Sequence, residues 1–232
     1  MTRRLVVVSA GLSAPSSTRL LADQLADAVT AAVTARGEAL TVDTIEVRDL
    51  ASDLVTTLTA GGLPTASVTR AQELLASADA VIAVTPVFSA SYSGLFKMFF
   101  DVLEPGTLDG TPVLVAATAG TPRHSLVLEH ALRPLFSYLH AVVVPTAVFA
   151  ATEDFGGTSE LGPRVARAAA ELSALMVAET GAVGGFAAVP GVDSARSGGR
   201  SGGRSGSRAG AGAGAGRAAV TPFAELLRGH SG

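Results

Sequence analysis

The sequence predicts a doubly wound α/β fold: one parallel sheet of five strands with helices on both faces, three layers in all. Three observations carry that expectation. Short apolar runs alternate with longer segments of helical period, the order that builds a parallel sheet. The runs are nearly continuous in valine, alanine and leucine, as at 5–8, 80–84 and 113–117, which suits strands covered on both faces. No Gly-x-Gly-x-x-Gly follows the first run, so the five-stranded order is favoured over the six-stranded dinucleotide-binding one.

Taken in order, residues 4–9 are strand one, and 11–18 form a turn rich in serine. The next segment places Leu21, Leu25, Val29 and Val33 on one face, with Ala28 and Ala32 filling in, an amphipathic helix. Ser16 or Ser17 is its N-cap and Gly37 ends it. Residues 40–47 alternate apolar and polar and read as strand two, nearer an edge. Helices are expected over 49–58 and 68–78, broken by Gly61, Gly62 and Pro64. Strand three is 80–84, stopped by Thr85-Pro86. A polar loop follows, then a helix over 93–103 with Leu95, Met98, Phe99 and Val102 at helical spacing. Strand four spans 111–117, a long helix 121–139, and strand five 141–149. After a loop with Gly156 and Gly157, the last helix covers 163–179 and opens on proline.

Residues 1–190 thus read as one domain. Residues 191–217 are low complexity, with Ser-Gly-Gly-Arg units and Ala-Gly repeats, and read as a flexible, disordered linker. Residues 218–232 read as a short C-terminal helix and a tail. The linker has five arginines and one acid, a net +4; with the whole chain at −3, the rest carries −7. An acidic body argues against nucleic-acid binding. No apolar run approaches the ~20 residues that span a bilayer. The first residues imitate a signal peptide, but the apolar part is short and no cleavage site follows, so a strand is the better reading. The chain has no cysteine, which excludes disulfides, thiolate catalysis and iron–sulfur ligation, and suits a cytoplasmic protein. Four scattered histidines suggest no metal site. No Gly-x-Ser-x-Gly elbow supports a hydrolytic triad.

Three constellations can carry chemistry, all at carboxyl ends of parallel strands, where ligands of such sheets bind. In the first turn, Ser13, Ser16, Ser17 and Thr18 surround a helix N-terminus. Its unpaired amides and dipole attract an anion, and the hydroxyls complete a cradle. N-capping alone would need only one of them. The second is the loop Thr85, Pro86, Val87, Phe88 and Ser89. The third is Thr118, Ala119, Gly120 and Thr121, where glycine lets backbone approach a ligand closely.

These pieces together resemble the NADPH-dependent FMN reductases of the flavodoxin-like superfamily. Thr85, Pro86 and Phe88 match the Thr-Pro-x-Tyr-like turn that wraps the isoalloxazine ring in that family, with Phe for Tyr. Ser93, Lys97 and Asp101 match the Ser-x-x-Lys-x-x-x-Asp helix that follows it, and Lys97 is the chain's sole lysine. The turn at 118–121 is similar to the family's Thr-Gly-Gly turn. Gly11-Leu12-Ser13-Ala14 departs from the Gly-Ser-x-Arg of related reductases by lacking the arginine, and Arg19 is the nearest substitute. The stretch 121–136 resembles reductases that supply reduced flavin to a separate monooxygenase, in which an extra residue makes a π-bulge at a subunit interface; His130 holds that place, and Pro134 removes a backbone donor nearby.

The resemblance implies an NAD(P)H:FMN oxidoreductase with FMN and NADPH or NADH as its nucleotides. It implies a homodimer or homotetramer and a flavin-dependent monooxygenase as partner. His124 would then lie toward the nicotinamide nucleotide's phosphates. The same motifs would serve an FMN-bound NAD(P)H:quinone or azo reductase, a non-catalytic flavin-binding protein, or a phosphate-binding α/β domain without flavin.

Overall fold

The computed structural model describes residues 2–155 and 160–178. The loop at 156–157, the last residue of the final helix, the linker and the short terminal helix lie outside the described residues.

The strands β1 (Thr2–Ser9), β2 (Ala39–Glu46), β3 (Ala80–Phe88) and β5 (Pro112–Ala119) run parallel in the order β2-β1-β3-β5. The fifth position is shared by two short strands, β6 (Val142–Val143) and β7 (Val148–Ala151), both parallel to β5. This is the flavodoxin-like order. Helices α1 (Ser17–Thr34) and α6 (Leu161–Ala178) cover one face, burying Leu21, Leu25, Val29, Ala168 and Leu172 against Leu5, Val7, Ile82 and Leu114. On α1 Ala22 and Ala26 are buried in the seam as well, and Ala28 is half-buried against it. Helices α2 (Ala51–Thr59), α3 (Ala66–Ala76), α4 (Gly94–Asp101) and α5 (Arg133–Tyr138) cover the other, where Phe96, Phe99, Phe100 and Phe136 pack over Val6, Val81 and Val115. Burial of large aromatics in tilted and edge-on pairs, such as Phe100 on Phe136 at 5.0 Å, makes this face the more aromatic layer.

Capping follows the sequence where the signal is local. Ser16 caps α1 by accepting from the Arg19 amide at 3.2 Å, worth about 1 kcal/mol. Gly37, at φ 80°, takes the left-handed turn beyond its end. Thr65 caps α3, and Gly61 and Gly62 make the break before it.

Four elements differ from expectation. Strand three does not stop at Thr85-Pro86; it runs on to Phe88. Its neighbour β1 pairs only as far as Val84, while β5 stays alongside to Pro86. Beyond Val84 the strand is therefore one-sided, which is where a proline is tolerated. The polar stretch after it is a hairpin, not an open loop: β4 (Ser91–Tyr92) returns antiparallel on Val87 and Phe88. Ser89 and Ala90 make the two-residue connection, both at positive φ, 50° and 64°. The long helix over 121–139 is divided into a 3-10 turn (Pro122–His124), a π-helical segment (Leu128–Leu132) and α5. The Arg133 amide donates to the Leu128 carbonyl, five residues back. Pro134 has no amide and crowds the preceding turn, so a widened ladder is the physical response.

Strand five is split by the stretch 144–147, which contains Pro145. Side chains satisfy the break. Arg133 donates to the Val144 carbonyl at 2.9 Å and to that of Pro145, and Glu171 accepts from the Thr146 amide and hydroxyl, each at 2.7 Å.

Candidate active site

At the carboxyl ends of β1, β3, β5 and β7 lies a groove of about 370 Å³. Leu12, Ser13, Ser16, Ser17 and Thr18 form one wall, Pro86, Val87 and Phe88 a second, and Thr118, Ala119, Gly120 and Thr152 line the rest. Two larger cavities, about 640 and 560 Å³, lie elsewhere: one beside α4 and the C-terminal end of α5, the other at the split fifth strand. Neither is at the strand ends where the three turns meet.

The first turn is held by close approach. A Cβ on Gly11 would stand 2.1 Å from the Ser16 Oγ and 3.2 Å from the Thr18 Cβ, so only glycine lets the chain pass its own helix cap. Thr18 and Thr118 hydroxyls hydrogen-bond at 2.8 Å, both residues buried, tying the first turn to the third. Arg48, in the 3-10 turn Val47–Leu50 after β2, donates from Nη1 to the Ser13 carbonyl at 2.9 Å. Arg19 does not take the place of the turn's missing arginine. Its Nε donates to Asp23 at 2.7 Å and its Nη1 to Glu46. These bonds, Glu46 first, raise the guanidinium above its ordinary pKa against the opposing effect of burial, and they occupy the charge.

The second wall depends on Thr85. Its buried hydroxyl accepts from the Ser93 amide at 3.0 Å and donates to the Pro86 carbonyl at 2.9 Å. That bond fastens the base of the hairpin, and Ser93 in turn caps α4 through the Phe96 amide at 3.2 Å. Phe88 is left 47% exposed at the groove's edge. Lys97 and Asp101 pair one turn apart along α4.

Most of the sequence-predicted residues therefore meet in one place. Three do not line the groove: Thr85 is buried behind it, Ser89 sits in the hairpin turn, and Thr121 is exposed at the start of the 3-10 turn. Leu12 and Thr152 line it and were not anticipated. Thr152 follows β7 directly, so the strand-end rule finds it once the fifth strand is known to reach 151. Among the described residues no lining side chain is charged. Among the described residues no group of three or more His, Asp or Glu side chains is placed to hold a metal ion. What the groove offers is hydroxyls and backbone at one end and an aromatic edge at the other.

The sequence pattern of the NADPH-dependent FMN reductases matches residues 3–156. The chain belongs to that family. It is 40% identical over 154 residues to an FMN reductase (NADPH) of Pseudomonas aeruginosa, covering 66% of this chain and 78% of the relative. It is 43% identical over 133 residues to the NADH-dependent FMN reductase SfnF of Pseudomonas fluorescens, covering 56% and 71%. An oxidoreductase structure from Corynebacterium diphtheriae superposes with a TM-score of 0.74 at 57% identity, over 76% of this chain and 98% of that one. As a member of the family the protein is an oxidoreductase acting with a nicotinamide nucleotide and FMN. No described helix is long and apolar enough to cross a membrane.

Proposed function

We propose that this protein is an NAD(P)H-dependent FMN reductase that binds FMN in the strand-end groove and releases reduced flavin to a separate flavin-dependent monooxygenase. The observation that carries this reading is the groove itself: three turns, distant in sequence, lined among the described residues without a charged side chain. A general acid or base is not needed, because bound FMN supplies an acceptor for hydride and the nicotinamide supplies the hydride. The chain's work is to bind and orient.

Ser13, Ser16, Ser17 and Thr18 suit the phosphate end, since hydroxyls and helix N-terminal amides favour an anion. Pro86, Val87 and Phe88 suit the ring, with the Phe88 edge as an apolar wall. Thr118, Ala119, Gly120 and Thr152 suit its polar margin by backbone and hydroxyl contacts. Thr85 and Ser89 act through the hairpin, Thr85 by fastening it and Ser89 by forming its turn. Thr121, exposed three positions before His124, would face the nicotinamide nucleotide on this reading.

Relatives are named for NADPH and for NADH, so either nucleotide is admitted. The exposed edge of the groove favours flavin that exchanges over flavin held permanently, which distinguishes this reading from a bound-FMN quinone or azo reductase. In keeping with the monooxygenase-supplying subgroup, the π-helical segment carries His130 on its exposed side, and a homodimer or homotetramer would pack there. A chain without cysteine suits the cytoplasm.

The test is an FMN titration of flavin-free protein by fluorescence quenching, followed by NADPH and NADH oxidation at rising FMN. Saturable binding, an FMN-raised melting temperature and FMN-dependent oxidation are expected. No shift in melting temperature with FMN would overturn flavin binding. Flavin that never exchanges would overturn the supply role alone.

A further inference from the structure

Among the described residues the groove is lined only by uncharged side chains, yet on the reading above it takes a phosphomonoester carrying close to two negative charges at neutral pH. Hydroxyls and helix N-terminal amides favour that anion, and a cation close to the turn would add to them. Arg19 is committed to Asp23 and Glu46. Arg48 is placed otherwise. It reaches the turn from 35 positions along the chain, and its Nη1 meets the Ser13 carbonyl at 2.9 Å. Its acidic neighbour Asp49 stands 3.6 Å from Nε and has a 71%-exposed side chain, a contact water screens heavily.

The bond to Ser13 also fixes the direction of a peptide. The Ser13–Ala14 unit is trans, so its carbonyl and amide point oppositely. With the Ser13 oxygen drawn to Arg48, the Ala14 amide is aimed the other way. A carbonyl swung toward the ligand would repel a phosphate; an amide attracts it.

We propose that Arg48 is a positioning residue for the phosphate end of FMN: from behind the turn it supplies the positive charge that the groove lining lacks, and it holds the Ser13 carbonyl away from the ligand. This rests on the flavin reading of the groove. It also identifies what stands in for the arginine absent from 11–14, namely a residue on the β2–α2 connection in place of one within the turn.

The experiment compares FMN with riboflavin, which lacks the phosphate. Dissociation constants for both are measured by fluorescence quenching on the full chain and on R48A, R48Q and R48K, each first checked by its flavin-free melting curve. R48A should weaken FMN about tenfold, the scale of one charge-assisted contact, and leave riboflavin within about twofold. R48K should recover most of the loss because it keeps the charge. R48Q keeps a donor without the charge and should fall with R48A; it carries the test if R48A does not fold. Equal losses for FMN and riboflavin would overturn the proposal, as would R48K no better than R48A. An unsubstituted protein that prefers FMN, with R48A keeping that preference, removes Arg48's role alone. An unsubstituted protein with no preference for FMN removes the phosphate site itself.

Discussion

The two long walls of the groove are made by different means. On the side of the first turn, a buried hydroxyl pair at 2.8 Å, a serine cap and a glycine with no room for a Cβ fix the chain in one position. On the side of the hairpin, Ser89 and Ala90 both sit at positive φ, and Phe88 stands half exposed. A left-handed backbone costs a residue other than glycine about 1–2 kcal/mol. The turn persists because this geometry matches the twist of the paired strands and because Thr85 ties its base. One wall is set by sterics and buried polar bonds; the other is held in a strained shape that little else secures. A phosphate end needs fixed donors, whereas a ring end must admit and release a flat nucleotide at every turnover. The contrast fits that division of labour.

Breaking the fixed wall should give the largest effect. Gly11→Ala puts a methyl group where the Ser16 hydroxyl sits, so the cap is lost and the turn is pushed off the helix. A loss of about 2–4 kcal/mol in denaturant unfolding is expected, the sum of a cap and an overpacked site. FMN affinity should fall further than riboflavin affinity. A G11A protein of unchanged stability would show that the wall is not held as described. Next in size is the hydroxyl pair. Thr18→Val leaves the Thr118 hydroxyl buried without its partner, a loss of about 1–3 kcal/mol. Replacing both with valine should cost less than the two single losses together, since no orphan remains. Additive losses in this double-mutant cycle would mean that the pair does not couple the two turns.

How far each wall could be read from the sequence follows the same line. The first turn was legible because its signals are local: serine before an apolar helical period and Gly37 at the far end. The hairpin was not. Thr85-Pro86 looks like a stop unless one knows that β1 has already left the sheet opposite Val84, and strand ends are set by neighbours. Likewise the fifth strand's division rests on Arg133 and Glu171, which close the gap from α5 and α6, and no window around Pro145 contains them. The π-helical segment is intermediate. Pro134 announced a distortion, but its form depends on which carbonyl the Arg133 amide finds. Arg48 was silent in the sequence, since its contact with Ser13 exists only once β2 is laid beside β1.

The strained wall should respond in the opposite direction. Ala90→Gly removes the Cβ penalty at φ 64° while leaving the hairpin's pairing in place. A gain of about 1 kcal/mol in stability is expected, offset in part by the greater freedom of glycine in the unfolded chain. The ratio of FMN to riboflavin affinity should stay as it is, because the change lies at the ring end. A destabilised A90G would show that the turn is not strained.

The smallest effect is expected at the Arg19 cluster, which joins the start of α1 to β2 beside the fixed wall. Its side chains are 40% exposed at Arg19 and 49% at Asp23, so water screens much of the attraction, although Glu46 is better covered at 16%. Glu46→Gln should cost less than about 1 kcal/mol, and less again as salt is raised. The pH dependence has a definite sign. Arg19's pKa is raised in the folded state, first by Glu46, so its contribution is fully present below the ordinary arginine value and is lost only as strong alkali passes the folded one. Between pH 6 and 9 the difference between E46Q and the unsubstituted protein should therefore be flat. If that difference changed across this range, a group other than Arg19 would be linking Glu46 to the fold, and the cluster would not be the simple ion pair network that these distances describe.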